Sequence, residues 1–375
     1  MKANPKKILI LISQVGGGHL SISQAVQQII TAHAPCHQIK IFNNTPVIGS
    51  LIQRIIGNYF AKFYTKNYQA LDNESSAKLV HQLITPLIFP KLSQVIVNFK
   101  PDLIIATNSF STEEVNITLK ILNKRIPHVI ILADPFSIHH GWTSYKQADL
   151  YLVHDSNARS VFINRRINPK KIKVTGLPLR QEIYQSPLSL PKVRRQLHLD
   201  RNKLTIFIGG SGEGLGNIYS LVAKLLKTNL VIQSCQLIVA CGKNKLLLDR
   251  FKRLQKKYPQ AVFPFGYTNQ IPQLISASNF VIGKPGPNIL LETFTLGRSF
   301  IATGQPLGQE ENNYQYIVKH HLGQVAFTIP DTINLILKII KSPQLLNQYS
   351  PYLKRWQKSH QSSPQKIWQA LKPFL

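Results

Sequence analysis

Apolar residues gather along this chain in short unbroken runs, separated by longer stretches where they recur every three or four positions. Ile8-Leu9-Ile10-Leu11-Ile12 is such a run, and an uninterrupted apolar segment of that length marks a strand buried on both faces. Runs of the same kind predict strands at Lys6–Ser13, Gln38–Phe42, Leu103–Thr107, His128–Ala133, Leu150–His154 and Ile172–Thr175. Helical spacing falls between them, over Ser21–His33, Ser76–Phe99 and Glu113–Asn123. A second series starts at Leu204–Ile208 and continues through Gln236–Ala240, Val262–Pro264, Asn279–Ile282, Ser299–Thr303 and Gln324–Phe327. Its helices are expected at Asn217–Leu226, Lys245–Tyr258 and Ile289–Leu296. Strand and helix alternate throughout, so each series predicts a parallel sheet in an α/β fold.

The 375 residues suit two domains of ordinary size. Residues 181–203 are polar, basic and carry Pro187 and Pro191, so they read as a linker between a first domain at 1–180 and a second at 204–345. Residues 346–375 read as a helical segment placed to pack back across the junction. One amphipathic helix stands apart, from Val47 to about Leu71. Ile48, Leu51, Ile52, Ile55, Ile56, Tyr59, Phe60 and Phe63 line one face, and Arg54, Lys62 and Lys66 occupy others. Two readings fit it: a helix lying at a membrane interface or acceptor groove, and a helix packed on its own sheet.

Charge narrows the partners. Forty-five lysines and arginines against 16 acids give a net charge of +29, a field that favours an anionic membrane surface or a nucleic acid. The cations are spread along the chain, and no RRM, KH or zinc-finger signature accompanies them. No stretch is long and apolar enough to span a bilayer. Cys36, Cys235 and Cys241 match no metal-ligand spacing, and three cysteines do not make a disulfide framework, which points to a reducing compartment.

Glycine turns mark where chemistry belongs. Gly16-Gly17-Gly18-His19 follows the first strand and opens the first helix. An imidazole at the carboxyl end of a strand in an open sheet is a candidate general base, the alternative being a structural histidine. Gly209-Gly210-Ser211-Gly212-Glu213-Gly214-Leu215-Gly216 follows the first strand of the second series. Five glycines there fit a cradle for a diphosphate, or else a surface loop. In Lys284-Pro285-Gly286-Pro287 two prolines stiffen a turn that runs into a helix carrying Glu292. Gly308-Gln309-Glu310-Glu311-Asn312-Asn313 clusters carboxylates and amides suited to a polyhydroxyl ligand or to a helix cap.

Together with Pro101-Asp102, Ala133-Asp134, His139-His140-Gly141-Trp142, Thr175 to Arg180, Cys241-Gly242-Lys243-Asn244 and Phe265-Gly266-Tyr267, these stretches in this order resemble one family. It is the glycosyltransferase group of monogalactosyldiacylglycerol synthase and processive diacylglycerol glucosyltransferase, related to the enzyme that adds N-acetylglucosamine to the peptidoglycan precursor. The resemblance covers nearly the whole chain. It implies a GT-B fold, two Rossmann-like parallel-sheet domains facing a cleft. It implies inverting transfer of glucose or galactose, from UDP-glucose or UDP-galactose, to diacylglycerol or a related lipid. It implies no cofactor beyond the UDP-sugar co-substrate, no metal, no nucleic acid, and peripheral attachment to an anionic membrane on its cytoplasmic side, the plastid envelope in a eukaryote.

Residue by residue, the resemblance makes His19 the general base and assigns Gly17, Gly18, Asp134, His139 and Trp142 to the lipid acceptor. It assigns Gly210, Ser211, Gly212, Glu213, Lys243, Asn244, Gly266, Tyr267, Lys284, Gly286, Pro287, Glu292, Gln309, Glu310 and Asn313 to the UDP-sugar. Within that set Gly266-Tyr267 would meet the uracil, Glu292 the ribose, and Gln309 and Glu310 the sugar hydroxyls. Three positions depart from the family pattern. Galactosyl members carry an acid where Gln14 stands and a basic residue where Leu20 stands, and Asn288-Ile289 replaces a small Gly/Thr pair. A non-catalytic relative that binds membranes or nucleotide sugars is therefore the second reading.

Overall fold

A computed structural model describes residues 4–13, 18–45, 72–184, 190–209, 217–306 and 310–375. The amphipathic stretch 47–71 and the glycines of the 210–216 turn lie outside the described residues. The chain forms two compact units, one of residues up to Gln181 with Ser362–Leu375, the other of Glu182–Pro306 with Glu310–Gln361.

The first unit holds six parallel strands: β1 (Lys7–Ile12), β2 (Gln38–Asn43), β3 (Leu103–Ala106), β4 (His128–Ile131), β5 (Leu150–Val153) and β6 (Ile172–Val174). Their order is β2-β1-β3-β4-β5-β6. The unbroken apolar run of β1 is explained by its neighbours on both faces. Ile8 and Ile10 pack with Val26, Ile29 and Ile30 of the helix Gly18–His33 and with Ile367 and Leu371 of the helix Ser363–Leu371. Leu9 and Leu11 point the other way, against Ile88, Leu92 and Ile96 of the helix Glu74–Phe99. Successive strand side chains alternate faces, so two layers need two sets of apolar residues from one run.

The second unit repeats the plan with β7 (Leu204–Gly209), β8 (Cys235–Ala240), β9 (Val262–Phe265), β10 (Phe280–Gly283), β11 (Ser299–Thr303) and β12 (Gly323–Ala326), ordered β12-β11-β10-β7-β8-β9. The α/β class and the paired parallel sheets are those of the GT-B fold.

One stretch differs from its reading as a plain linker. Residues Leu190–Gln196 form a helix, held by a buried arginine. Arg194 Nε donates to the Ala277 carbonyl at 3.0 Å and Nη2 to Asn279 Oδ1 at 2.7 Å. The same Asn279 oxygen accepts the Thr205 N–H at 2.8 Å, which ties that helix to the start of β7. The helices Ser156–Asn164 and Ile271–Ala277 also go beyond the elements read from the sequence.

Candidate functional site

In an open parallel sheet, ligands meet the carboxyl ends of the strands where the strand order reverses. Each unit has one such point. In the first it lies between β1 and β3, and in the second between β7 and β10. The glycine turns singled out in the sequence leave the sheets from these strands.

At the first point, β1 leads toward His19 on the opening turn of the helix Gly18–His33. His19 Nδ1 sits 2.7 Å from the carbonyl oxygen of Thr107, the residue after β3. A carbonyl only accepts, so Nδ1 carries the proton and the neutral ring keeps its lone pair on Nε2. Thr107 is itself fixed: its N–H and Oγ1 both reach the Leu11 carbonyl, at 3.1 and 3.0 Å, and Oγ1 lies 2.9 Å from Ser23 Oγ. All of Thr107 and Ser23 is buried. The imidazole, half-buried, is thus oriented by a backbone group that nothing on the side-chain level can displace. Gly18 adjoins it; Gly17 lies outside the described residues.

The other residues assigned to the acceptor follow β4. Asp134 Oδ2 accepts the Trp142 indole N–H at 3.1 Å and lies 3.9 Å from His139 Nε2. Burial lowers the pKa of His139, against the pull of Asp134 and Asp72. The three residues therefore form one cluster. Trp142 is completely buried, so its indole meets Asp134 and the core, and Asp134 and His139 are the members that retain solvent access.

At the second point, Gly283 ends β10 in register with Gly209 at the end of β7. A Cβ on Gly283 would stand 1.7 Å from the Gly209 carbonyl oxygen, so the strands come this close only with glycine there. The turn that follows closes on itself, Gly286 N–H donating to the Lys284 carbonyl at 2.9 Å. Pro287 opens the helix Pro287–Thr295, and its N-cap residue, Gly286, has no side chain to cap the first turn. A helix start left in that form presents backbone N–H groups and the positive end of the macrodipole to an anion.

The side chains around the turn converge on it. Lys284 Nζ meets Glu310 Oε1 at 2.8 Å. Asn313, buried, donates from Nδ2 to the Pro285 carbonyl at 2.7 Å. Both partners stand at the start of the helix Glu311–Lys319, which follows β11. Glu292 is buried at 2% exposure, one turn into its helix. Lys243 and Tyr267, which follow β8 and β9, meet as a cation over a ring at 5.6 Å, and Tyr267 remains 66% exposed. Gly266 precedes it with Leu248 close by. Asn244 spends its side-chain oxygen on the Leu247 N–H at 2.9 Å, capping the helix Lys245–Lys257. Gly210, Ser211, Gly212, Glu213 and Gln309 lie outside the described residues.

Chemically, the first edge offers a fixed proton acceptor and the second an anion seat beside a paired cation and carboxylate. Burial pushes the thiol of Cys235 up to about 12 and that of Cys241 up to about 11, and none of the three cysteines is in a disulfide among the described residues. A network around His81 and Glu114, behind the His139–Trp142 turn, was not read from the sequence.

Comparison with known proteins finds similarity over most of the chain. Residues 19–179 match the family model described as monogalactosyldiacylglycerol (MGDG) synthase, and residues 205–365 match that of the glycosyltransferase family 28 C-terminal domain. A processive diacylglycerol beta-glucosyltransferase of Staphylococcus carnosus (strain TM300) is 23% identical over 352 residues, 92% of this chain and 88% of that protein. The chloroplastic monogalactosyldiacylglycerol synthase 1 of Arabidopsis thaliana is 26% identical over 340 residues, 86% of this chain and 62% of that protein. Among solved structures, Anabaena Alr3699/HepE in complex with UDP-glucose superposes with a TM-score of 0.56 at 15% identity, covering 98% of this chain and 99% of that one. The glycotransferase of kitacinnamycin gives 0.63 at 12% identity, covering 100% of both. At such identities the two structures speak for the fold alone.

Proposed function

The chain belongs to the monogalactosyldiacylglycerol synthase and diacylglycerol glucosyltransferase family of glycosyltransferases, and on that premise we propose that it moves glucose or galactose from a UDP-sugar to the hydroxyl of diacylglycerol or a related membrane lipid. The observation that carries the reading is the imidazole of His19 locked on the Thr107 carbonyl at the first switch point. His19 Nε2 takes the proton of the acceptor hydroxyl as its oxygen bonds to the anomeric carbon. The bond from that carbon to the diphosphate breaks on the opposite side, and UDP leaves with the electron pair, inverting the centre. Such base assistance is worth ~10²–10⁴-fold.

The charge that develops on the diphosphate is met by the glycine-capped start of the helix Pro287–Thr295 and by Lys284. In this reading Glu310, paired with Lys284 at 2.8 Å beside the diphosphate seat, reads the sugar hydroxyls. Lys243 and Tyr267 bound the uracil end.

Membrane access is supported by one face of the helix Glu74–Phe99. Leu79, Leu83 and Leu87, four residues apart, are 57%, 66% and 47% exposed, with Lys78 and Lys91 exposed on the same helix. Leucines beside cations suit an anionic interface. Among the described residues no helix is long and apolar enough to cross a membrane, and in this reading the chain attaches at the surface.

The test is transfer of label from each of UDP-glucose and UDP-galactose to diacylglycerol in vesicles, with the lipid products separated by chromatography. Labelled glycolipid from one donor is the expected result. Tight binding of both UDP-sugars with no labelled lipid would instead establish the non-catalytic reading.

A further inference from the structure

Behind the acceptor edge lies a buried network that the mechanism above does not use. His81, on the helix Glu74–Phe99, places Nδ1 2.7 Å from Glu114 Oε1 and Nε2 2.9 Å from Ser144 Oγ. The carboxylate side chain of Glu114 is fully buried and that of His81 is 4% exposed. Ser144 Oγ donates to the Gly141 carbonyl at 3.0 Å, and Thr112 Oγ1 reaches the same carbonyl at 3.1 Å. Gly141 lies inside the turn His139–Trp142, and a Cβ there would stand 2.9 Å from the His139 ring. The path therefore runs from Glu114 through His81 and Ser144 to the backbone of the turn that sets His139 and, through Trp142, Asp134.

Serine, histidine and glutamate in a line invite comparison with a nucleophilic triad, but the hydrogen bonds run the other way. Burial alone would discharge His81, yet the bond to Glu114 and the charges of Glu114 and Glu113 outweigh it and hold the imidazole above its ordinary pKa. The Gly141 carbonyl only accepts, so the Ser144 proton goes there and Ser144 accepts from His81 Nε2. The serine is an anchor. Glu114 Oε2, moreover, is buried with no hydrogen-bond partner among the described residues. A buried pair left partly unsatisfied costs stability relative to apolar packing, and geometry is the gain that offsets it.

We propose that His81, oriented by Glu114, is a positioning residue for the acceptor: through Ser144 and the Gly141 carbonyl it fixes the turn that presents Asp134 and His139 to the lipid hydroxyl. The inference rests on the reading of this edge as the acceptor side.

Three variants of the full chain test it, each assayed for transfer to diacylglycerol vesicles and for UDP affinity by calorimetry. His81→Gln puts an amide where Nε2 stands and keeps the Ser144 link. His81→Asn puts one where Nδ1 stands and loses it, and Ser144→Ala loses the link while leaving His81 and Glu114 paired. The acceptor KM rises ~5- to 10-fold in His81→Asn and Ser144→Ala, stays within about twofold of the parent in His81→Gln, and UDP affinity is unchanged in all three. An unaltered acceptor KM in Ser144→Ala, or equal losses in the two His81 variants, overturns the proposal. Ser144→Ala decides the matter even where the buried His81 is intolerant of change.

A second readout does not need turnover. The chain has three tryptophans, and the ¹⁵N-labelled indole signal of Trp142, bonded to Asp134, shifts in Ser144→Ala while those of Trp356 and Trp368 stay. An unmoved Trp142 signal counts against the inference, whereas a parent protein inactive with both UDP-sugars counts against the transferase reading alone.

Discussion

The two units carry the same topological device dressed in different chemistry. Both sheets reverse strand order beside their first strand, at β1 and β3 in one and at β7 and β10 in the other. In the first the reversal holds a side chain, His19, by a backbone carbonyl. In the second it holds a helix start with glycine at its N-cap, and the side chains around it are paired locally, Lys284 with Glu310 and Asn313 with the Pro285 carbonyl. A proton acceptor needs one atom aimed, so one hydrogen bond to the main chain suffices. An anion of several oxygens needs many weak donors at fixed spacing, which a stiff proline turn supplies and a single side chain does not.

That contrast can be broken in stages. The largest effect is expected from Gly283→Ala. Its methyl meets backbone 1.7 Å away, with no flexible side chain to yield, so the second sheet loses ~4 kcal/mol or more. Limited proteolysis should then digest the second unit and spare the first. His19→Ala comes next: transfer falls ~10³-fold, while calorimetry finds the UDP affinity of the parent. Equal turnover would remove the base assignment. Lys284→Met should act in the opposite sense, weakening UDP-sugar binding ~10- to 100-fold as a charge-assisted contact is lost, with the acceptor KM untouched.

The smallest effect separates the units by pH. The histidines whose pKa burial lowers, His37, His128 and His139, all lie in the first unit. His128 is the extreme case, pushed down to about 3 with both ring nitrogens buried and unpartnered among the described residues. Unfolded, it takes up a proton below about 6.5; folded, it stays neutral, so stability is full above that pH and falls as the pH drops toward 3. From pH 7 to pH 5 the first unit should lose ~2 kcal/mol on this account. Denaturant titrations at both pH values check it, and His128→Leu should flatten the dependence.

Much of this was legible because parallel sheets write themselves plainly. Every strand in both sheets lies within a residue or two of its predicted run, and in the central strands burial on two faces leaves no room for polar interruption. The turns were legible because glycine and proline are needed where strands crowd, as at Gly283. What stayed hidden was held by partners far along the chain. Arg194 looked like a linker cation, and only the Ala277 carbonyl, 83 residues on, makes it a buried anchor. His81 and Glu114 are 33 residues apart on helices whose apolar spacing says nothing of a charged contact. Trp142 read as a ligand-facing aromatic, although its indole is spent on Asp134 inside the core. Polar groups that meet across a fold leave no periodicity behind.

The helix Ser363–Leu371 has a consequence for how the protein comes into being. Ile367 and Leu371 are part of the core beneath β1, His33 stacks on Trp368 at 4.7 Å, and Lys6 reaches the Phe374 carbonyl at 3.0 Å. A ribosome that has finished the first sheet has not yet made the wall that closes it. The amino-terminal half must wait, its apolar face uncovered, until residues beyond 360 emerge, while the second sheet can assemble in the meantime. The half that emerges first is thus the last to be completed, and the part of its core under Ile367 and Leu371 stays open to chaperones and proteases during synthesis.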